Sequence, residues 1–232
     1  MEKSKFVITN LKQGVKNPNR VNVFVNSKYA LSLDVAQVVD LGVKVGLEIS
    51  EDGLVELKKA SEYGKLYQRT LEWVLVRPRS VRETRDYLSK KLKTSSSDSL
   101  LRARRYGAQS LVPLPVGRVQ SSEDILELSE NIIQKLLDKK YLDDYKFAEW
   151  YVENRFVKKG ISKKRLKMEL FKKGIAREIV DEVIDDRDDE EEIRKVIAKK
   201  RAKYDDERLM GYLVRQGFSY DLVKQVLSED QY

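Results

Sequence analysis

The first third of the chain alternates apolar and polar residues in the manner of β-strands. The alternation extends over residues 6–33, where three apolar side chains share one face of a short strand: Val21, Val23 and Val25. Two segments rich in turn-forming residues interrupt the pattern, Asn17-Pro18-Asn19 and Asn26-Ser27-Lys28. The alternation and its interruptions predict a small meander of two or three strands.

Helical spacing replaces this alternation further along the chain. A short helix is predicted over residues 35–41, and Ser50 has the side chain of a helix N-cap. From Leu54 onward, apolar residues recur at mostly helical spacing through Leu57, Leu66 and Leu71. This second helix is predicted to link the β-rich start to the rest of the protein.

Beyond about residue 65 the chain repeats itself. Ser80 and Leu88 align with Ser162 and Leu170, and the segment 165–175 aligns with 208–218. Each copy has the apolar pattern of three helices, and three-helix units of this kind stack in series. Capping residues and glycine stops fall at the predicted ends of these helices: Ser80 with Glu83, Ser162, Asp205, Ser219, Gly174 and Gly217.

The predicted fold class is therefore mainly α, with tandem three-helix repeats in a curved, elongated array behind a small N-terminal β-containing domain. The N-terminal domain with its linking helix covers residues 1–62, and the three repeats cover 63–140, 141–187 and 188–232. Residues 93–122, rich in serine and proline, lack a helical period. They are interpreted as a mobile insertion in the first repeat.

Composition narrows the possible functions. The chain has no cysteine and no histidine, which excludes thiolate chemistry and imidazole ligands. Charged residues make up 36% of the sequence, and no apolar run is long enough to cross a membrane. These features predict a cytoplasmic protein that does not engage membranes.

The positive charge is concentrated in particular segments. The net charge is +8, and two groups of cations stand out. The candidate nucleic-acid or filament-binding residues are Arg77, Arg79, Arg82, Arg85, Lys158, Lys159, Lys163, Lys164, Arg165, Lys167, Lys172 and Lys173. Such clusters favour DNA or nucleoprotein as the partner, although a solvated helix surface has the same composition.

Acidic runs offer an alternative site. Asp143-Asp144 and the run from Asp185 to Glu192 carry the oxygen ligands that Mg²⁺ prefers. Both runs also fall where a new three-helix unit is predicted to begin, and acids are favourable at helix starts. They are interpreted as helix caps and linkers, and a magnesium site is the weaker reading.

Motifs spread along the chain resemble the RecX family. They are Arg77-Pro78-Arg79-Ser80 with Glu83, Leu142-Asp143-Asp144 with Phe147-Ala148, Arg165-Leu166 with Lys173-Gly174-Ile175, and Gly217-Phe218-Ser219. The resemblance also covers the β-rich start and excludes only residues 93–122. Two departures stand out: the insertion splits the first repeat, and Lys140-Tyr141 stands where the family commonly has a glycine before Leu-Asp-Asp.

The resemblance implies a regulator of the RecA recombinase in homologous recombination, DNA repair and the SOS response. It implies binding in the groove of the RecA filament on single- or double-stranded DNA, with inhibition of strand exchange, ATP hydrolysis and co-protease activity. It further implies a monomer that has no catalytic residues, no metal and no cofactor. Two alternatives stay open, a stand-alone DNA-binding protein and a metal-dependent nuclease that uses the acidic runs.

Overall fold

The computed structural model describes residues 6–15, 17–92 and 122–229. The side chains of residues 122, 124, 125 and 155–159 are outside this description. The predicted insertion 93–122 also lies outside it, except for residue 122, where a helix begins.

Four antiparallel strands form the N-terminal sheet, in the spatial order β3-β2-β1-β4. They are β1 (Phe6–Gln13), β2 (Arg20–Val25), β3 (Lys28–Asp34) and β4 (Glu48–Ile49). The predicted meander is confirmed as β1–β3. The two-residue β4, which pairs with β1 through Phe6 and Val7, is too short to produce an alternation in the sequence.

The turn predicted at residues 26–28 joins β2 to β3. Asn26 and Ser27 have φ values of 48° and 64°, the left-handed conformation that a two-residue hairpin turn requires. The tight turn sets the register that buries Val23 opposite Leu31. These side chains form one core with Ile8, Leu33, Leu54 and Leu57.

Four helices follow the sheet or separate it from the second repeat. They are α1 (Val35–Asp40), α2 (Glu51–Leu75), α3 (residues 81–92) and α4 (Ser122–Asp138). Ser50 accepts a hydrogen bond from the Gly53 amide at 3.1 Å, so the predicted N-cap of α2 is confirmed. Helix α2 carries Leu54 and Leu57 into the sheet core and continues to the predicted first repeat.

The second and third repeats each consist of three helices. These are α5 (Asp144–Lys159), α6 (Lys163–Lys172) and α7 (Arg177–Val183), followed by α8 (Asp189–Lys200), α9 (Asp206–Arg215) and α10 (Tyr220–Glu229). Each repeat buries its own core, around Phe147, Leu166 and Leu170 in the second and around Ile193, Leu209 and Leu213 in the third. The mainly helical fold class with a strand-rich start is confirmed.

The chain divides into two compact units. One contains Met1–Trp73 and Arg85–Leu136, and the other contains Val74–Thr84 and Leu137–Tyr232. The start of α3, which belongs to the predicted first repeat, is thus part of the unit that holds the second and third repeats. The repeat boundaries drawn from the sequence stay predictions.

Local chemistry explains where these helices start and stop. Ser162, Asp205 and Ser219 accept hydrogen bonds from the amides of Arg165, Arg208 and Leu222. Lys140 has a φ of 59°, which is a left-handed conformation. A glycine would adopt it with less strain than Lys140, which explains why a glycine is common at that position in the family.

Candidate nucleic-acid interface

The predicted site residues gather around the first turns of α3 and along α6. Arg85 belongs to the first compact unit, and the other eleven belong to the second. Lys158 and Lys159 close α5, and their side chains lie outside the described residues. The remaining cations differ sharply in what their side chains contact.

Several of these cations build a junction between the start of α3 and the end of α6. The Ser80 hydroxyl donates to the Lys173 carbonyl at 2.8 Å, and the Lys173 ammonium donates to Glu83 at 2.6 Å. Glu83 also pairs with Arg77 at 3.2 Å, whose guanidinium lies over the Trp150 ring. Arg77 and Lys173 therefore hold two helices together.

The electrostatics of this junction favour a charged Glu83. Burial opposes ionisation of Glu83, but hydrogen bonds from Lys173 and Arg77 outweigh it and lower the pKa of the carboxyl. Arg79 lies nearby and is half-buried. Desolvation and the neighbouring Arg77 lower the pKa of the Arg79 guanidinium. This end of α3 is therefore a packed, mutually compensated charge cluster.

A second junction repeats the arrangement between the start of α6 and the end of α9. The Arg165 guanidinium donates to the Arg215 carbonyl at 2.5 Å and pairs with Glu169 at 3.4 Å. The Ser162 amide donates to the Gln216 carbonyl at 3.3 Å. In both junctions the residue three positions after the helix cap spans the contact.

A left-handed glycine completes each junction. Gly174 has a φ of 80° and Gly217 a φ of 94°. A Cβ at Gly174 would lie 2.8 Å from the Arg82 Cβ, and one at Gly217 would lie 2.6 Å from the Ser162 hydroxyl oxygen. Both the backbone conformation and the close approach of the neighbouring helix require glycine here.

The acidic pairs cap helices on both sides of each junction. Asp143 accepts from the Tyr145 amide of its own helix, and Asp144 accepts from the Val81 amide of α3 at 2.9 Å. Asp189 does the same for the Lys163 amide of α6 at 2.7 Å. Within the part of the chain that the structure describes, no cluster of acidic residues could hold a metal ion. The capping interpretation is confirmed.

Three further predicted cations bind groups of the protein itself. Lys167 pairs with Asp181 at 2.7 Å, and the Lys163 ammonium donates to the Asp185 carbonyl at 3.0 Å. Arg85 pairs with Glu130 at 2.6 Å. Their charges are therefore partly compensated before any partner arrives.

One ion pair was missed by the sequence reasoning. Arg187 and Glu192 lie 3.7 Å apart, with side chains only 9% and 5% exposed. Burial raises the pKa of Glu192 despite the opposing effects of Lys195 and Arg187. Arg187 is the one cation within the acidic run from Asp185 to Glu192, and that isolation was the available signal.

What remains is an exposed, cationic face on α6. Lys164 and Lys172 are exposed at its two ends, with Met168 and Phe171 exposed by 49% and 41% between them. The spacing of these four residues places them on one side of the helix. Arg82 of α3 is exposed as well. We call the four α6 residues the outer face of α6.

Sequence reasoning found the two lysines of this face but not its apolar centre. Met168 and Phe171 lie four and seven positions after Lys164, so their spacing was the available signal. An ammonium group can contact a phosphate, while an exposed ring offers a surface for stacking. None of the helices in the described residues is long and apolar enough to cross a bilayer.

Comparisons with known proteins agree with the motifs. The model of the regulatory protein RecX N-terminal domain matches residues 6–50, and that of the RecX second three-helix domain matches residues 143–184. The regulatory protein RecX of Bacillus pumilus is 28% identical over 232 residues, which cover 96% of this chain and 76% of that protein. The Bacillus licheniformis protein of the same name is 27% identical over 235 residues, covering 97% and 78%.

The fold comparison gives the same result. A crystal structure of a regulatory protein RecX has a TM-score of 0.65 to this chain at 19% identity, covering 96% of this chain and 99% of that one. At that identity it establishes the fold alone. Together, the matched domains, the full-length relatives and the shared fold show that the chain belongs to the RecX family of regulatory proteins.

Proposed function

We propose that this protein regulates a RecA recombinase by binding the RecA–DNA filament and lowering its ATPase, strand-exchange and co-protease activities. The relatives are named regulatory proteins, and the RecX resemblance points to RecA. The observation that carries the proposal is the outer face of α6. Its lysines are exposed while most neighbouring cations contact groups of the protein itself.

The outer face suits a polyanionic filament. Lys164 and Lys172 are eight residues apart, which is about 12 Å along a helix. They can therefore contact separate phosphates or separate acidic groups. Phe171 and Met168 add an apolar centre that can pack on a base or on a protein side chain.

The proposed mechanism is occupancy rather than catalysis. The protein would act from the cytoplasm as a monomer, without a cofactor and without consuming nucleotide. A chain lodged in the filament groove would restrain the movements that strand exchange and ATP hydrolysis need. Arg82 at the start of α3 would extend the cationic contact.

The RecA ATPase tests this function. Adding the protein to RecA on single-stranded DNA should lower the rate of ATP hydrolysis in a saturable manner, and the protein alone should hydrolyse no ATP. An unchanged rate at a saturating concentration of the protein would contradict the proposal. Tight binding to naked duplex DNA at physiological salt, with no preference for the filament, would favour a stand-alone DNA-binding protein.

A further inference from the structure

The two junctions are copies of one docking arrangement. In each, the start of the second helix of one repeat receives the C-terminal turn of the second helix of the next repeat. Glu83 contacts Lys173 in the first junction, and Arg165 contacts the Arg215 carbonyl in the second. Each incoming turn ends in a left-handed glycine.

The third repeat presents the same receiving surface on α9. The repeat alignment places Asp205 at the position of Ser162, and Arg208 at the position of Arg165. Asp205 caps α9 as Ser162 caps α6. The Arg208 side chain is 71% exposed, and it lies 3.9 Å from the carboxylate of that cap. A cavity of about 540 Å³ opens beside it, lined in part by Gly211, Tyr212 and Arg215.

Gly211 is an independent sign that something approaches this surface. It lies inside α9, where glycine is among the least favourable residues. A Cβ there would meet, within 4 Å among the described residues, only the Arg215 guanidinium at 3.6 Å. Nothing in the described chain therefore requires glycine, whereas a backbone arriving from outside would.

We infer that the α9 face formed by Asp205, Arg208, Gly211, Tyr212 and Arg215 binds the C-terminal turn of a helix in a RecA protomer. The inference rests on the proposed function and assigns part of the filament contact to protein rather than DNA. The exposed carbonyls of a helix end carry partial negative charge. Arg208 and Arg215 complement that charge, as Arg165 does in the filled junction.

A second copy of this chain is the poorer occupant. Of its three second helices, two end in the required glycine, and both of these ends already lie in the filled junctions of the chain. At the end of α3, Leu92 stands at the corresponding position. A leucine carries the left-handed strain and the side-chain bulk that such a junction excludes.

Three variants of the full chain test the inference. Arg208→Glu reverses the charge of the face, and Gly211→Gln fills it while improving helix propensity. Lys199→Glu, at an exposed position of α8, is the control with the same change in charge as Arg208→Glu. Binding is measured to RecA filaments on oligothymidine and to naked oligothymidine, together with melting temperatures and sedimentation.

We expect Arg208→Glu to weaken filament binding at least tenfold and Gly211→Gln at least fivefold. Lys199→Glu should stay within twofold of the parent. On naked DNA, Arg208→Glu should match Lys199→Glu, and Gly211→Gln should match the parent. The melting temperature of Gly211→Gln should rise, which separates a binding defect from a folding defect.

Other results would overturn the inference in distinguishable ways. If the parent binds the filament and both face variants bind it as well as the control does, the face is not a docking site. Equal losses on filament and naked DNA would make it a nucleic-acid surface. Self-association that Gly211→Gln abolishes would make a second copy the occupant. A parent chain that does not bind the filament would overturn both proposals.

Discussion

The repeat junctions and the outer face of α6 draw on the same lysine- and arginine-rich segment but use its charge differently. At the junctions, Lys173 and Arg165 bind Glu83 and a helix carbonyl. On the outer face, Lys164 and Lys172 are exposed beside Phe171. The density of positive charge in a sequence therefore does not distinguish cations that hold repeats together from cations that can meet a partner.

The comparison can be broken most severely at a junction glycine. Gly174→Ala places a Cβ on a left-handed residue, 2.8 Å from the Arg82 Cβ. We expect it to lower the free energy of unfolding by about 2 kcal/mol or more, combining left-handed strain with overpacking. Urea titration of the purified variant measures the loss.

Gly211→Ala is the matched control for this substitution. It introduces the same methyl group within a helix and into open space. The control should be neutral or stabilising by up to about 1 kcal/mol. A Gly174→Ala variant as stable as the control would show that close packing of the junction does not contribute to folding.

Glu83→Gln should have a smaller, pH-dependent effect. Because the folded-state pKa of Glu83 is lowered, its ionisation stabilises the fold at neutral pH. This contribution is lost as pH falls through the lowered pKa, below the usual glutamate value of about 4.3. The variant should be less stable than the parent by about 1 kcal/mol at neutral pH, and the difference should shrink on acidification.

Melting curves across pH for the parent and the variant provide the measurement. Glu178→Gln, which changes an exposed glutamate of α7, is the control. It should track the parent closely at every pH. A difference between Glu83→Gln and the parent that stays constant down to acidic pH would contradict a stabilising ionised Glu83.

Sequence reasoning recovered the features that depend on local chemistry. Ser162 and Asp205 could be recognised as caps because their partners lie three residues away. Gly174 and Gly217 could be recognised as helix stops because the left-handed conformation favours that residue. The repeat pattern then fixed which leucines are buried in the second and third repeats.

The division of the basic residues was beyond its reach. Glu83 lies 90 residues from Lys173, and Asp181 lies 14 residues from Lys167. No periodicity links such partners, so Lys163 and Lys167 had the same predicted role as Lys164. Long-range contacts, which the repeat alignment alone does not specify, decide which cations are exposed.

The smallest effect on folding, and the most direct test of function, is expected on the outer face of α6. We choose the double variant Lys164→Glu with Lys172→Glu and leave Lys163 and Lys167 intact, because those two bind Asp185 and Asp181. Each exposed substitution should change stability by less than about 0.5 kcal/mol. Lys199→Glu with Lys224→Glu, both at exposed positions of the third repeat, is the control with equal charge change.

The decisive measurement is the affinity of these two variants and the parent for the RecA filament across a range of salt concentrations. The account predicts that the α6 variant binds more weakly than the control and that its melting temperature is unchanged. For each phosphate that a lysine no longer neutralises, the slope of log affinity against log salt should fall by about one. An α6 variant that is folded and binds the filament as tightly as the parent would contradict the claim that the outer face of α6 meets the filament.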